Sequence, residues 1–201
     1  IPAPYDSAVI QSGVVILGNQ RGVTSLTVSN GATMLFTNWT AKLSVTNDIV
    51  LRTGSTMTLP SAFTSSQMSN RVWLACSNLT MEPGAKIDVS GRGYVHNDGP
   101  GAGAGTWHSS GGSHGGKGGY ANNAVPISNV YGSVSQPTEP GSGAGGADEG
   151  CSQGGGAVRI EATGTVTIDG TINANGFNST HYAYGGGSGG SVWITCNVFG
   201  G

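Results

Sequence analysis

Cleaving a polysaccharide takes two carboxylates that converge on one bond, and the acids that could serve are Asp88, Asp169 and the Asp148-Glu149 pair. Neighbours in an extended chain point apart, and Asp169 directly precedes Gly170, where Asp-Gly makes a turn. These acids read as turn and surface residues. His96, His108 and His114 share one stretch but lack the tight Cys/His spacing of a zinc site. Cys76, Cys151 and Cys196 are an odd set, so at most one internal disulfide can form. Cys76 and Cys196 end the matching strings Val72-Trp-Leu-Ala-Cys76 and Val192-Trp-Ile-Thr-Cys196, on the side shared with the apolar residues, which suits buried small hydrophobes better than nucleophiles. The glycine runs at 99–105 and 154–156 have no Gly-Lys-Ser/Thr ending and open no helix, which argues against a phosphate loop. No catalytic residue, metal ligand or cofactor is expected.

The aromatic residues offer more. If Val72 and Val192 face inward, Trp73 and Trp193 face outward, and the equivalent position between them is Arg159. Stacked about 4.8 Å apart, these three form a Trp73, Arg159, Trp193 ladder with cation–π contacts. Such a row is either a platform for a glycan or a surface covered by the glycine-rich insertion or by a neighbouring subunit. Asn38, Asn78 and Asn178 head N-x-Thr sequons and are glycosylation candidates in a secreted eukaryotic protein.

What positions these residues is a repeat of apolar, x, apolar, x, x, Gly, x, x, apolar, x, apolar. It is filled by Leu26, Val28, Gly31, Met34 and Phe36, by Ile49, Leu51, Gly54, Met57 and Leu59, and by Leu79, Met81, Gly84, Ile87 and Val89. A copy shorter by two residues uses Val166, Ile168, Gly170, Ile172 and Ala174. Period-two alternation on both sides of a glycine predicts two half-buried strands joined at a corner. A further alternating strand precedes most copies, at Leu43 and Val45, at Val72 to Cys76 and at Val158 to Ala162, so each coil holds three short strands. The expected fold is all-β, a right-handed β-helix-like stack of short coils with a long glycine-rich insertion.

That insertion spans 91–156, and 21 of its 66 residues are glycine. A pure linker would carry only small polar residues, whereas Trp107, His108, Tyr120, Val130, Tyr131 and Pro137 are interspersed here and suit an ordered lobe. The strings Gly112-Ser-His-Gly-Gly-Lys-Gly-Gly119, Gly154-Gly-Gly-Ala-Val-Arg-Ile160, Ile168-Asp-Gly-Thr-Ile-Asn-Ala-Asn-Gly176 and Gly186-Gly-Ser-Gly-Gly-Ser-Val-Trp-Ile194 resemble a class of glycine-rich extracellular β-helix-like repeat proteins. The resemblance covers about residues 80 to 201. It implies an extracellular, structural or surface role and supplies no catalytic residues.

The expected organisation is an N-terminal extended segment at 1–21 acting as a donor strand, β coils at 22–90, the insertion at 91–156 and further coils at 157–201 that stop in mid-coil. Only 9% of residues are charged and the formal net charge is −2, so there is no basic footprint for nucleic acid. No apolar run reaches the roughly 20 residues of a membrane span. The residues thus point to a non-enzymatic protein outside the cell or on its surface. It would join copies of itself head to tail through Val9, Ile10, Val14 and Ile16 at one end and Val192, Ile194 and Phe199 at the other, as a fibre or surface layer. A carbohydrate-binding module using the aromatic ladder is the alternative, and a β-helix polysaccharide-cleaving enzyme the third reading.

Overall fold

The computed structural model describes residues 6–67, 71–120, 128–147, 152–180 and 184–201. Among them are sixteen short strands and no helix. A first coil holds β1 (Ser7–Ile10), β2 (Gly13–Leu17) and β3 (Arg21–Val23), and a second β4 (Ser25–Val28), β5 (Ala32–Phe36) and β6 (Leu43–Val45). The third holds β7 (Asp48–Leu51), β8 (Thr56–Thr58) and β9 (Val72–Cys76), and the fourth β10 (Asn78–Met81), β11 (Lys86–Asp88) and β12 (Ala157–Ala162). The fifth holds β13 (Thr165–Ile168), β14 (Thr171–Asn173) and β15 (Ser191–Thr195), and β16 (Val198–Gly200) begins a sixth. Every third strand joins the same sheet. The result is three parallel sheets of six, five and five strands, a β-helix-like stack.

Register follows the sequence repeat. Leu26, Ile49, Leu79, Val166 and Phe199 pair in succession along the first sheet, and Met34, Met57, Ile87 and Ile172 along the second. Like therefore stacks on like, and Val28, Ile49, Leu51, Met57, Leu74, Leu79, Met81, Ile87 and Ile160 are fully buried in one core. Each such side chain contributes on the order of 1.5–3 kcal/mol by leaving water. The segment expected as an extended N-terminal donor lies inside this stack: Ala8 pairs with Leu26, Val15 with Met34 and Arg21 with Leu43. Its alternation is weaker than that of later coils, because Val14-Val-Ile-Leu17 is continuously apolar, and the stack accordingly begins before residue 22.

The corner glycines have two different jobs. Gly31, Gly54 and Gly84 sit at φ of 75°, 75° and 82°, a left-handed conformation that costs other residues roughly 1–2 kcal/mol. At the shorter corner, a Cβ on Gly170 would lie 2.4 Å from the Ala85 carbonyl oxygen. There glycine answers to close approach instead.

Between β11 and β12 the chain leaves the stack, and its described residues form no regular strand. They are nonetheless laced by main-chain hydrogen bonds. The amides of Gly141, Gly143, Ala144 and Gly145 donate to the carbonyls of Gly155, Asp98, Ser152 and Ser110, at 2.8, 3.1, 2.9 and 3.0 Å. The carbonyls of Gly141, Ser142 and Gly143 accept from Tyr94, Ser188 and Gly103 at 3.0, 3.0 and 2.9 Å. A sheet strand has two neighbours; this segment has five. Extended chain with three residues per turn, as in polyproline II, aims successive amides in three directions and has this bonding pattern. Such packing brings backbones together: a Cβ on Gly143 would stand 2.0 Å from the Val95 oxygen, and one on Gly154 1.9 Å from the Gly141 oxygen. The lobe joins the stack through Gly156 N–H to Val89 O at 2.8 Å and Phe177 N–H to Gln153 O at 2.9 Å.

Candidate functional site: a tryptophan–arginine ladder

Outward positions of the third sheet carry the one dense cluster of charge and aromatic surface among the described residues. Arg159 pairs in register with Trp73 on one side and Trp193 on the other. Its guanidinium lies 4.6 Å from each indole centroid. The ladder extends further than the sequence repeat implies. Arg71, directly before β9, is sandwiched between Trp39 at 4.6 Å and Trp73 at 4.2 Å, and its Nε–H donates to the Trp39 carbonyl at 2.9 Å. Lys42 sits over Trp73 at 4.9 Å. Trp39, Arg71 and Lys42 escaped the sequence reading because all three lie outside the strands, where no alternation marks which way a side chain points.

Glu161 ties the cluster together. It accepts the Trp73 Nε1–H at 2.9 Å and the Arg159 Nε–H at 3.1 Å, and pairs with Lys42 Nζ at 3.2 Å. Partial burial pulls its carboxyl pKa up, but the Trp73, Arg159 and Lys42 contacts outweigh that and hold it below the ordinary value of 4.5. The ionised carboxylate therefore stabilises the fold fully above the ordinary value and loses this contribution as pH falls through the lowered one. Glu161→Ala should cost about 1–2 kcal/mol at neutral pH and should flatten the acid limb of a denaturation-midpoint profile. An unchanged acid limb would show that the carboxylate is not the ladder's anchor.

At Trp73 the ladder is closed as a sugar platform. A pyranose needs a bare ring face, and Trp73 carries Arg71 and Lys42 together with Arg159 on its faces. Cation–π contacts of this kind contribute roughly 0.5–2 kcal/mol each, so the cluster acts as a clasp across successive coils.

The remaining candidates are dispersed. Asp88 accepts the Ser90 amide at 3.0 Å in a local turn, Asp169 is exposed at its corner, and Asp148, Glu149 and Cys151 lie outside the described residues. His114 Nδ1 contacts the Gly189 carbonyl at 2.9 Å. No three metal-ligating side chains come together among the described residues. Cys76 is buried, and burial followed by the Asp48 charge pushes its thiol up to about 11, leaving it protonated and unreactive. It pairs with Ala162, whose neighbour Glu161 pairs with Thr195, so Cys196 lies two coils away. That is roughly 9.6 Å, beyond the reach of a disulfide.

The sequons divide. Asn38 and Asn178 are exposed. Asn78 is locked between coils, its Nδ2–H donating to Asp48 at 2.8 Å and its Oδ1 accepting the Thr165 amide at 2.8 Å. Expressed through a eukaryotic secretory pathway, the protein should carry glycan at Asn38 and Asn178 and none at Asn78, as read by peptide mass spectrometry. Occupancy at Asn78 would mean that this rung of the stack is open.

No family model matches the chain, and no curated protein or solved structure matches it. Its reading rests on its own geometry. No helix among the described residues is long and apolar enough to cross a membrane.

Proposed function

We propose that the chain is a non-enzymatic structural protein of the cell exterior, a subunit of a fibre or surface layer that grows by stacking copies head to tail. The coil is taken as right-handed, the hand of about 98% of parallel crossovers. The observation that carries the reading is apolar exposure on the terminal strands: Val9, Val14 and Ile16 are 59–65% exposed at one end, Val198 and Phe199 57% and 63% at the other. Sheet edges with unpaired amides and bare apolar side chains are a liability that strand addition removes.

Strand order supports one way of making the joint. If all three sheets run on from one copy into the next, β16 of the first and β1 of the second claim the same place over β4. Phe199 falls in the inward column that Ala8 occupies, by way of Val166, Leu79, Ile49 and Leu26. The larger side chain buries more apolar surface there, so β16 displaces β1, and the contact is heterologous and open-ended. Deleting residues 1–11 should accelerate assembly measured by light scattering, and Phe199→Asp should abolish it. Assembly unaffected by both changes would overturn this joint.

A further inference from the structure

The glycine lobe carries a cleft of about 400 Å³ lined by His108, Tyr120 and Tyr184 and by the main chain of Gly111, Gly119 and Gly186, termed its floor. The floor is fixed by the Gly111 amide bonding the Gly119 carbonyl and the Gly112 amide bonding the Gly186 carbonyl, both at 3.0 Å, and by the Gly185 amide bonding Ser109 Oγ at 3.0 Å. Its volume falls in the range of ligand sites, roughly 300–1,000 Å³. The lining selects the ligand by what each group can do. Among the described residues its lining holds no Asp, Glu, Lys or Arg to pair with an ion, and no aliphatic side chain to receive a lipid chain. It offers aromatic rings with polar tips over bare main chain, which a flat ligand can approach without meeting side chains.

We infer that this cleft binds a neutral saccharide, its C–H face against the Tyr and His rings and its hydroxyls toward the glycine main chain. The inference is independent of the stacking joint. Side chains that present rigid amphipathic rings at low entropic cost also serve protein recognition, but a concave glycine floor of this size suits one or two sugar rings better than a protein surface.

The test is binding of the full chain to an array of neutral and acidic oligosaccharides, repeated with Tyr120→Ala and Gly119→Leu. A Cβ on Gly119 meets nothing within 4 Å, so the side chain leucine adds there starts without displacing the bonded main chain. Amide exchange of Gly111 and Gly112 reports that the lobe is intact. Expected is binding to at least one neutral glycan, weakened tenfold or more by each substitution with exchange unchanged. No neutral glycan bound, binding to acidic glycans alone, or neutral binding that survives both substitutions would overturn the inference.

Discussion

Gly154→Ala should collapse the glycine lobe. The added Cβ would stand 1.9 Å from the Gly141 carbonyl oxygen and 2.2 Å from its carbon, main-chain atoms held in place because that oxygen accepts the Tyr94 amide and the Gly141 amide donates to Gly155. No side chain can swing away to admit it. Overpacking of ordinary cores costs about 1–3 kcal/mol, and here the obstacle is backbone bonded in several directions, so the loss should reach at least the top of that range. Gly116→Ala is the control, since a Cβ there meets nothing within 4 Å, and its effect should stay within about 0.5 kcal/mol. Urea denaturation with exchange of the 141–145 amides measures both. If the two variants were equally stable, backbone-on-backbone packing would not be what holds the lobe.

Leu74→Ala should cost about 2–5 kcal/mol. Leu74 is fully buried and stacks in register between Leu43 and Ile160, so the cavity is walled by neighbours above and below that cannot both close in. Ile194 holds the equivalent place in the last strand of the same sheet and is half-buried. Its replacement by alanine should cost only about 1–2 kcal/mol, because part of its surface is already in water. In a stack where each coil touches only its neighbours, stability adds along the axis. A Leu74→Ala loss no larger than that at Ile194 would contradict the stacked-column core.

The stack was legible because its core is periodic. Alternation at Leu79, Met81, Ile87 and Val89 fixes which side chains point inward, and the glycine between them marks a corner that only a left-handed residue can turn. The Trp73, Arg159 and Trp193 rungs followed from the same phase. The place of the first coil is not legible because Val14 to Leu17 lacks alternation, so it reads as an extended donor segment, and only pairing with Ala32–Phe36 reveals its place. The outer half of the ladder, Trp39 and Arg71, is held by side-chain packing between corners 32 residues apart, which leaves no periodic trace. The lobe was harder still. Composition says that glycine is needed, but the partner of each amide, such as Gly155 with Ser188 or Gly143 with Asp98, is set by three-dimensional packing.

The proposed assembly by strand exchange would fix a length. Two of the three sheets hold five strands, and when β16 takes the place of β1 each copy advances the stack by five levels of about 4.8 Å, or about 24 Å. Electron microscopy of the purified full-length protein, concentrated at neutral pH, measures this directly. Unbranched filaments with a 4.8 Å strand spacing along the axis and a repeat of about 24 Å are the expected result. Monodisperse single particles at every concentration, or filaments whose strands run along the axis, would contradict the account.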